Sequence, residues 1–270
     1  MTARGIACIR ALEQRKPPER RICDDPLARR MVGPLMYLLS AIFLPYGDWV
    51  APGVSGFILA RTRYIDDCLR AGLAEGIRQV VILGAGLDTR AYRFATDARF
   101  FEVDHPATQR AKVERLRRVL GRLLETVRYV PLDFEHDSLD KLLGAGYDPA
   151  APALFLWEGV TYYLRAAAVD ATLAFVARRA ARGSSIVFDY AFAEALTARP
   201  LRPELRRVAR AARWTGEAIV FGIAEGTAAA FLRARGFGQV EEVTAHDLEQ
   251  MYGVQHVLPV CALVRAVVGR

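Results

Sequence analysis

The run VVILGAGLDTR, Val80 to Arg90, is a short apolar stretch that stops at a Gly-x-Gly turn, with an acid and then a base just behind it. A continuous apolar run of this length reads as a buried parallel strand. Gly84 and Gly86 carry no Cβ, so the backbone can bend tightly there and approach a small molecule. A second strand, Arg99 to Asp104, ends in an acid about 20 residues beyond the turn, where a doubly wound fold places the carboxylate that accepts from ribose hydroxyls. A third, Val127 to Leu132, is followed by Asp133 and Phe134. An acid can accept from the exocyclic amine of an adenine, and an aromatic ring can pack on its face. A fourth, Ala153 to Trp157, runs into Glu158. One acid at a strand end is usually a helix N-cap. Three acids and a glycine turn in register point instead to a nucleoside-bearing ligand at the carboxyl edge of an open α/β sheet.

Nicotinamide nucleotides and S-adenosylmethionine both carry a ribose, so the acids alone leave the ligand open. A third glycine, which a dinucleotide fingerprint uses for close helix–strand packing, would fall at Thr89 and is absent. The segments RTRYIDD (61–67), LGAGLDTR (83–90), EVDHP (102–106) and WEGVTYYL (157–164), in that order and spacing, resemble the leucine carboxyl methyltransferase family. The likeness is greatest to its bacterial branch, which includes carboxyl O-methyltransferases of polyketide pathways.

The resemblance implies a class I S-adenosylmethionine fold: a doubly wound, mostly parallel seven-stranded sheet with an N-terminal helical cover. It also implies roles. Arg61 pairs with the carboxylate of the cofactor's methionine moiety, and Gly84 and Gly86 contact that moiety. Asp104 holds the ribose, Asp133 and Phe134 the adenine, and Glu158 lies near the methionine ammonium. Tyr163 falls where the eukaryotic branch has a tyrosine that orients the substrate carboxylate. Two departures matter. Glu135 stands where that branch has an arginine for a peptide's terminal carboxylate, which argues against a leucine-terminated protein tail. Ile82 stands where a generic methyltransferase often has an acid, so the ammonium must lean on Glu158 and backbone carbonyls.

A sulfonium methyl is an electrophile, and the protein chiefly has to align a nucleophile and exclude water. A carboxylate, with an ordinary pKa of about 4, needs no base; a phenol, near 10, does. Of the four histidines, His105 reads as a loop residue beside the cofactor. His136, after the third strand, is the better base candidate. The expected activity is methylation of a carboxylate on a small hydrophobic, polyketide-like molecule. Phenol methylation, a rearrangement on a cofactor-binding scaffold, and a dinucleotide-dependent reductase are the alternatives.

The elements that must position these groups occupy a single domain of 270 residues, 53% of them hydrophobic. Residues 1–60 form the cover and 61–270 the core, with an Arg- and Ala-rich insertion at 191–217 after the fifth strand, Ser185 to Tyr190. Met31 to Ala60 is apolar but broken by Gly33, Pro34, Pro45, Gly47, Pro52 and Gly53. It falls short of the roughly 18–20 uninterrupted residues of a membrane span and reads either as a lid on a hydrophobic cavity or as ordinary packing. Ala166 to Arg182 and Glu225 to Arg235 read as helices. Pro259 confines a last strand, His256 to Val268, to an edge or a bulge. The net charge of +7 is dispersed. Arg110, Lys112, Arg115, Arg117, Arg118 and Arg122 read as a solvated helix face, and no aromatic interleaving suggests nucleic acid. The four cysteines show no metal spacing, and no signal peptide is apparent, which suggests the cytoplasm. The expected partner is a small acidic or hydrophobic molecule; monomer and homodimer both stay open.

Overall fold

The computed structural model describes residues 3–50, 52–94, 97–197 and 219–269, with the side chains of 44–50 and 197 outside the description. Seven strands form one sheet: β1 Gln79–Leu83, β2 Arg99–Asp104, β3 Val127–Pro131, β4 Ala153–Trp157, β5 Ser185–Ala191, β6 Phe237–Val243 and β7 Cys261–Val268. Their order is β3-β2-β1-β4-β5-β7-β6. β1 to β5 pair in parallel, and β7 runs antiparallel to both β5 and β6. β1, β4 and β5 are buried at every residue, which explains their largely apolar sequence: helices cover both faces of a parallel sheet. The chain steps from β1 to β2 on one side and later to β4 on the other, so the switch point lies between β1 and β4, where such sheets bind ligands.

β7 corrects the expectation of an edge or bulged strand. It begins at Cys261, two residues beyond Pro259, so the missing N–H falls outside the ladder, and β7 lies inside the sheet. β6 is the edge, with a register shift between Phe237 and Val240.

The cover comprises α1 Ala3–Glu13, α2 Ala28–Val32, α3 Pro34–Val50 and α4 Val54–Ala74. Gly33 (φ +85°) ends α2, and Gly53 (φ +86°) precedes α4. Pro45 and Gly47 do not divide α3. α4 starts before residue 60 and buries Ile58, Arg61, Thr62, Ile65 and Leu69 along one face. A single turn, α5 Arg90–Arg93, follows β1, and α6 Pro106–Leu120 follows β2. His105 caps α6, its Nδ1 accepting from the Ala107 N–H at 3.3 Å, and Pro106 occupies the first turn, where no N–H is needed. Lys112 departs from the expected solvated face: it is buried, and its Nζ lies 2.7 Å from Glu102 of β2. Beyond β3 and β4 come α7 Lys141–Gly144 and α8 Ala166–Arg179; beyond β5, α9 Ala193–Thr197, α10 Ala228–Arg233 and α11 Ala245–Tyr252. Most of the expected insertion at 191–217 lies outside the described residues. Among the described residues no helix is long and apolar enough to cross a membrane, and no group of three or more His, Cys, Asp or Glu could hold a metal ion.

Candidate active site

One cleft of about 300 Å³ opens at the carboxyl edge of β1, β2 and β4. Its lining includes eight of the nine residues singled out from sequence: Arg61, Gly84, Gly86, Asp104, Asp133, Phe134, Glu158 and Tyr163. His136 is the exception. It is exposed, its Nδ1 lies 3.0 Å from Asp133 Oδ2, and it lines a separate depression behind Phe134. The structure therefore does not bring the sequence's base candidate into the cleft.

The glycine turn is tight for a visible reason. Gly84 has φ +70°, and a Cβ there would lie 2.3 Å from Val160 Cγ2. A Cβ on Gly86 (φ +41°) would meet Ala3 of α1 at 3.0 Å. All three amides of the turn are spent within the protein. Gly84 and Ala85 donate to Val103 O at 2.8 and 3.0 Å, and Gly86 donates to Asp104 Oδ2. α5 begins only at Arg90 and is one turn long.

Asp104 accepts from Gly86 through Oδ2 and from the His105 N–H through Oδ1 at 2.7 Å. Each oxygen keeps a second lone pair for a ligand. Burial pushes its carboxyl above the ordinary value, against the pull of those two amides. Asp133 accepts from the Glu135 N–H at 2.9 Å and from His136, and these bonds hold it below the ordinary value. Phe134 is braced by Trp157, with ring centroids 6.2 Å apart and planes at 29°. Tyr163 meets Tyr162 edge-on at 4.7 Å.

Arg61 is buried in the cleft wall. Its Nε donates to Glu158 Oε1 at 3.1 Å, and its Nη1 donates to Asp189 Oδ2 at 2.5 Å and to Tyr162 Oη at 3.2 Å. Among the described residues its Nη2 is buried with no acceptor. An unmade hydrogen bond on a buried guanidinium is costly, so Nη2 is fitted to an acceptor brought by a ligand. Two of the guanidinium's nitrogens already serve the protein, which leaves Nη2 for a ligand.

Glu158 is likewise committed. Oε1 accepts from Arg61 and from Thr62 Oγ1, and Oε2 accepts from Arg90 Nη1 at 2.6 Å. Burial raises its carboxyl, but Arg90 and Arg61 outweigh burial and hold it well below the usual range. Its geometry is that of a tie between two arginines as much as of a ligand contact.

Sequence reasoning missed four participants. Arg90 is buried and bonded to Asp66, Asp88 and Glu158 at 2.5–2.6 Å. Asp88 lines the cleft beside it. Both stand in the run behind the glycine turn, so their types were visible but not their burial. Asp189, an acid inside the otherwise apolar β5, donates nothing and accepts from Arg61 and from the Gly159 N–H at 2.6 Å; its oddity in that strand was the available signal. Arg10 of α1 also lines the cleft, donating to Leu87 O at 2.8 Å and lying 3.0 Å from Asp25. Nothing in the sequence near Arg10 announced it.

Glu135, placed where the eukaryotic branch of the resembled family has an arginine, is paired with Arg165 at 2.6 Å and so held below its ordinary value, the backbone N–H of Arg165 contributing most.

Comparison with known proteins agrees with this geometry. Residues 3–177 match the leucine carboxyl methyltransferase family model. A Frankia alni protein provisionally named an S-adenosyl-L-methionine-dependent methyltransferase is 37% identical over 198 residues, 68% of this chain and 65% of its own length. A Mycolicibacterium smegmatis protein with the same provisional name is 36% identical over 199 residues, 70% of this chain and 66% of its own. The matched region thus spans just under two thirds of these relatives. In fold, the chain resembles a provisionally named methyltransferase from Thermobifida fusca (TM-score 0.61, 15% identity, 99% of this chain and 94% of that one). It equally resembles a DUF574 family protein from Streptomyces avermitilis (TM-score 0.61, 16% identity, 97% and 96%). With the sheet order, the cleft and the match over residues 3–177 in agreement, the chain belongs to the leucine carboxyl methyltransferase family.

Proposed function

We propose that the protein is an S-adenosylmethionine-dependent O-methyltransferase acting on a carboxylate of a small hydrophobic molecule, polyketide-like in character. The observation that carries the cofactor is Arg61 Nη2, a buried donor that no described residue accepts from, in the same cleft as Asp104 and Phe134. A methionine carboxylate supplies that acceptor. A dinucleotide's pyrophosphate would need free amides at a helix N-terminus. Here Gly84, Ala85 and Gly86 have spent theirs.

The bound cofactor supplies a methyl group activated by a positively charged sulfur. The chain's own residues do the rest. Asp104 accepts from ribose hydroxyls, Asp133 from the adenine amine, and Phe134 walls the base. Gly84 and Gly86 let the backbone come close. Glu158 fixes Arg61 and Arg90, and Tyr163 orients the acceptor in the cleft. Ile6, Leu87, Leu132, Val160 and Leu164 line the cleft and exclude water, which strengthens the fixed dipoles inside.

Carboxylate is favoured over phenol because the described residues of the cleft offer no free base. Its acids are ion-paired or amide-bonded, and His136 stands outside. The Nδ1 of His105 is occupied by accepting from the Ala107 N–H.

Thermal unfolding tests the cofactor, since a ligand stabilises the state it binds. S-adenosylmethionine or S-adenosylhomocysteine raises the melting temperature, and NAD and NADP do not; a shift with NADP alone overturns the reading. S-adenosylhomocysteine formation across matched carboxylic acids and phenols then tests the acceptor.

A further inference from the structure

Helix α3 presents its apolar side to solvent. Leu35, Leu38 and Phe43 are 71%, 59% and 63% exposed, and Met36, Leu39 and Ile42 are exposed beside them. At 100° per residue these six fall within one arc of roughly 160°. The opposite side faces the protein with Tyr37 and with Ser40, whose Oγ donates to Met36 O. A surface helix ordinarily does the reverse. A contiguous exposed apolar face of this kind marks an interaction site.

Its rim is basic. The Arg29 guanidinium lies 4.6 Å above the Tyr37 ring. Arg30 Nη2 donates to Val119 O, and Arg115 donates twice to Arg30 O, which seats α2 against the end of α6. Arg117, Arg118 and Arg122 are exposed there. Among the described residues, only Arg118 of this group is in an ion pair, with Glu114 at 4.0 Å. Neither α2 nor Pro34 to Phe43 contains an acid.

We propose that α3 docks the protein on an anionic lipid surface, its apolar side chains entering the acyl boundary and the arginines meeting the headgroups. Charge selects this occupant over the others. Residues 198–218 of the chain carry six arginines against Glu204 and Glu217, and a second copy carries the same net +7, so each meets the rim with like charge. A protein partner ordinarily makes about one hydrogen bond per 100–200 Å², and six adjacent aliphatic, thioether and aromatic side chains supply none. α3 lies on the surface rather than through it, since no described helix is long and apolar enough to cross a membrane.

Co-sedimentation of the full chain with vesicles tests the proposal. Vesicles of phosphatidylcholine and phosphatidylserine at about 3:1 bind the protein, and pure phosphatidylcholine binds it at least ~10-fold less, as does the anionic mixture in high salt. Leu38→Glu with Ile42→Glu abolishes binding while leaving the melting temperature within about 2 °C, as expected of surface substitutions. Arg29→Gln with Arg30→Gln weakens it by about fivefold per arginine. Failure of the wild type to bind anionic vesicles overturns the proposal, as does binding that survives the double glutamate variant. A marked fall in that variant's melting temperature overturns it too, by showing that the chain itself covers the face. So does a wild-type dimer in light scattering that the same variant dissociates.

Discussion

Replacing Arg61 by lysine separates a ligand-binding role from a scaffolding one. In the native cleft the guanidinium makes three bonds to Glu158, Asp189 and Tyr162 and holds Nη2 in reserve. Lysine keeps the charge but is a compact ammonium with no planar fork. It can remain near Asp189 or Glu158, and it cannot do so while also presenting a donor where Nη2 stood. The ligand then loses one charge-assisted hydrogen bond, worth about 1.5–3 kcal/mol, or roughly ten- to 150-fold in affinity. Adenosine has the ribose and the base but no carboxylate, so its affinity stays nearly constant. Arg63→Lys is the control: that residue is half-exposed and bonded to Asp67 and to Ile22 O, away from the cleft. Calorimetric titration with S-adenosylhomocysteine and with adenosine reads both losses on the same folded variant. Equal weakening of the two ligands would refute the reasoning and make Arg61 a structural tie.

Gly84→Ala forces a Cβ onto Val160 Cγ2 in a left-handed backbone. It lowers stability and S-adenosylhomocysteine affinity together, and adding Val160→Ala recovers the steric part, leaving about 1–2 kcal/mol of backbone strain in urea unfolding; an affinity equal to wild type in the single variant contradicts the cradle. Burial keeps Asp104 above its ordinary value, so as pH falls it protonates, and stops being a charged acceptor, before an unperturbed aspartate does; titrations from pH 7 downward show affinity dropping there, and Asp104→Asn removes that pH dependence. Glu158 and Asp88 are the opposite case: burial raises both, Arg90 together with the other nearby cations outweighs it, and both end below their ordinary values. Their contribution to stability is complete above the unfolded carboxylate range and is lost as pH falls through the lower folded values, which urea midpoints across that acid range measure.

The strand ends were legible because each carries two signals at once, an apolar run and a polar stop, and neither depends on distant residues. Gly84, Asp104, Asp133 and Glu158 therefore come together as read. The ion pairs behind them were not legible. Arg61 meets Asp189 across 128 positions of sequence and Arg90 meets Glu158 across 68, and no periodicity reports such a pairing. Lys112 shows a signal overlooked. It stands three residues after Gln109 and four before Leu116, and all three are buried, so helical spacing placed it inward although its charge suggested solvent. α3 is the converse. Nearly every position from Pro34 to Phe43 is apolar, so hydrophobicity said nothing about which side faces the protein, and only packing on α1 and α2 decides it.

The buried charges beneath the cleft carry a second argument about the ligand, independent of any likeness. Arg10, Arg61, Arg90 and Arg93 interlock with Asp25, Asp66, Asp88, Glu158 and Asp189 across α1, α4, α5, β4 and β5. Such a network is a poor source of net stability, because desolvation offsets the attraction, yet removing one member leaves an uncompensated charge at about 3–5 kcal/mol. Its effect is to lock the cover helices onto the sheet edge by directional bonds, leaving Arg61 Nη2 as a donor to spare. It also holds four cations against five anions, with Asp104 and Asp133 adding further negative charge along the cleft. A dinucleotide would bring an anionic pyrophosphate into that field and meet repulsion at short range and reduced dielectric. S-adenosylmethionine brings a sulfonium and an ammonium against one carboxylate. The single carboxylate would have Nη2 to meet it, and the two positive groups would face the excess of acids.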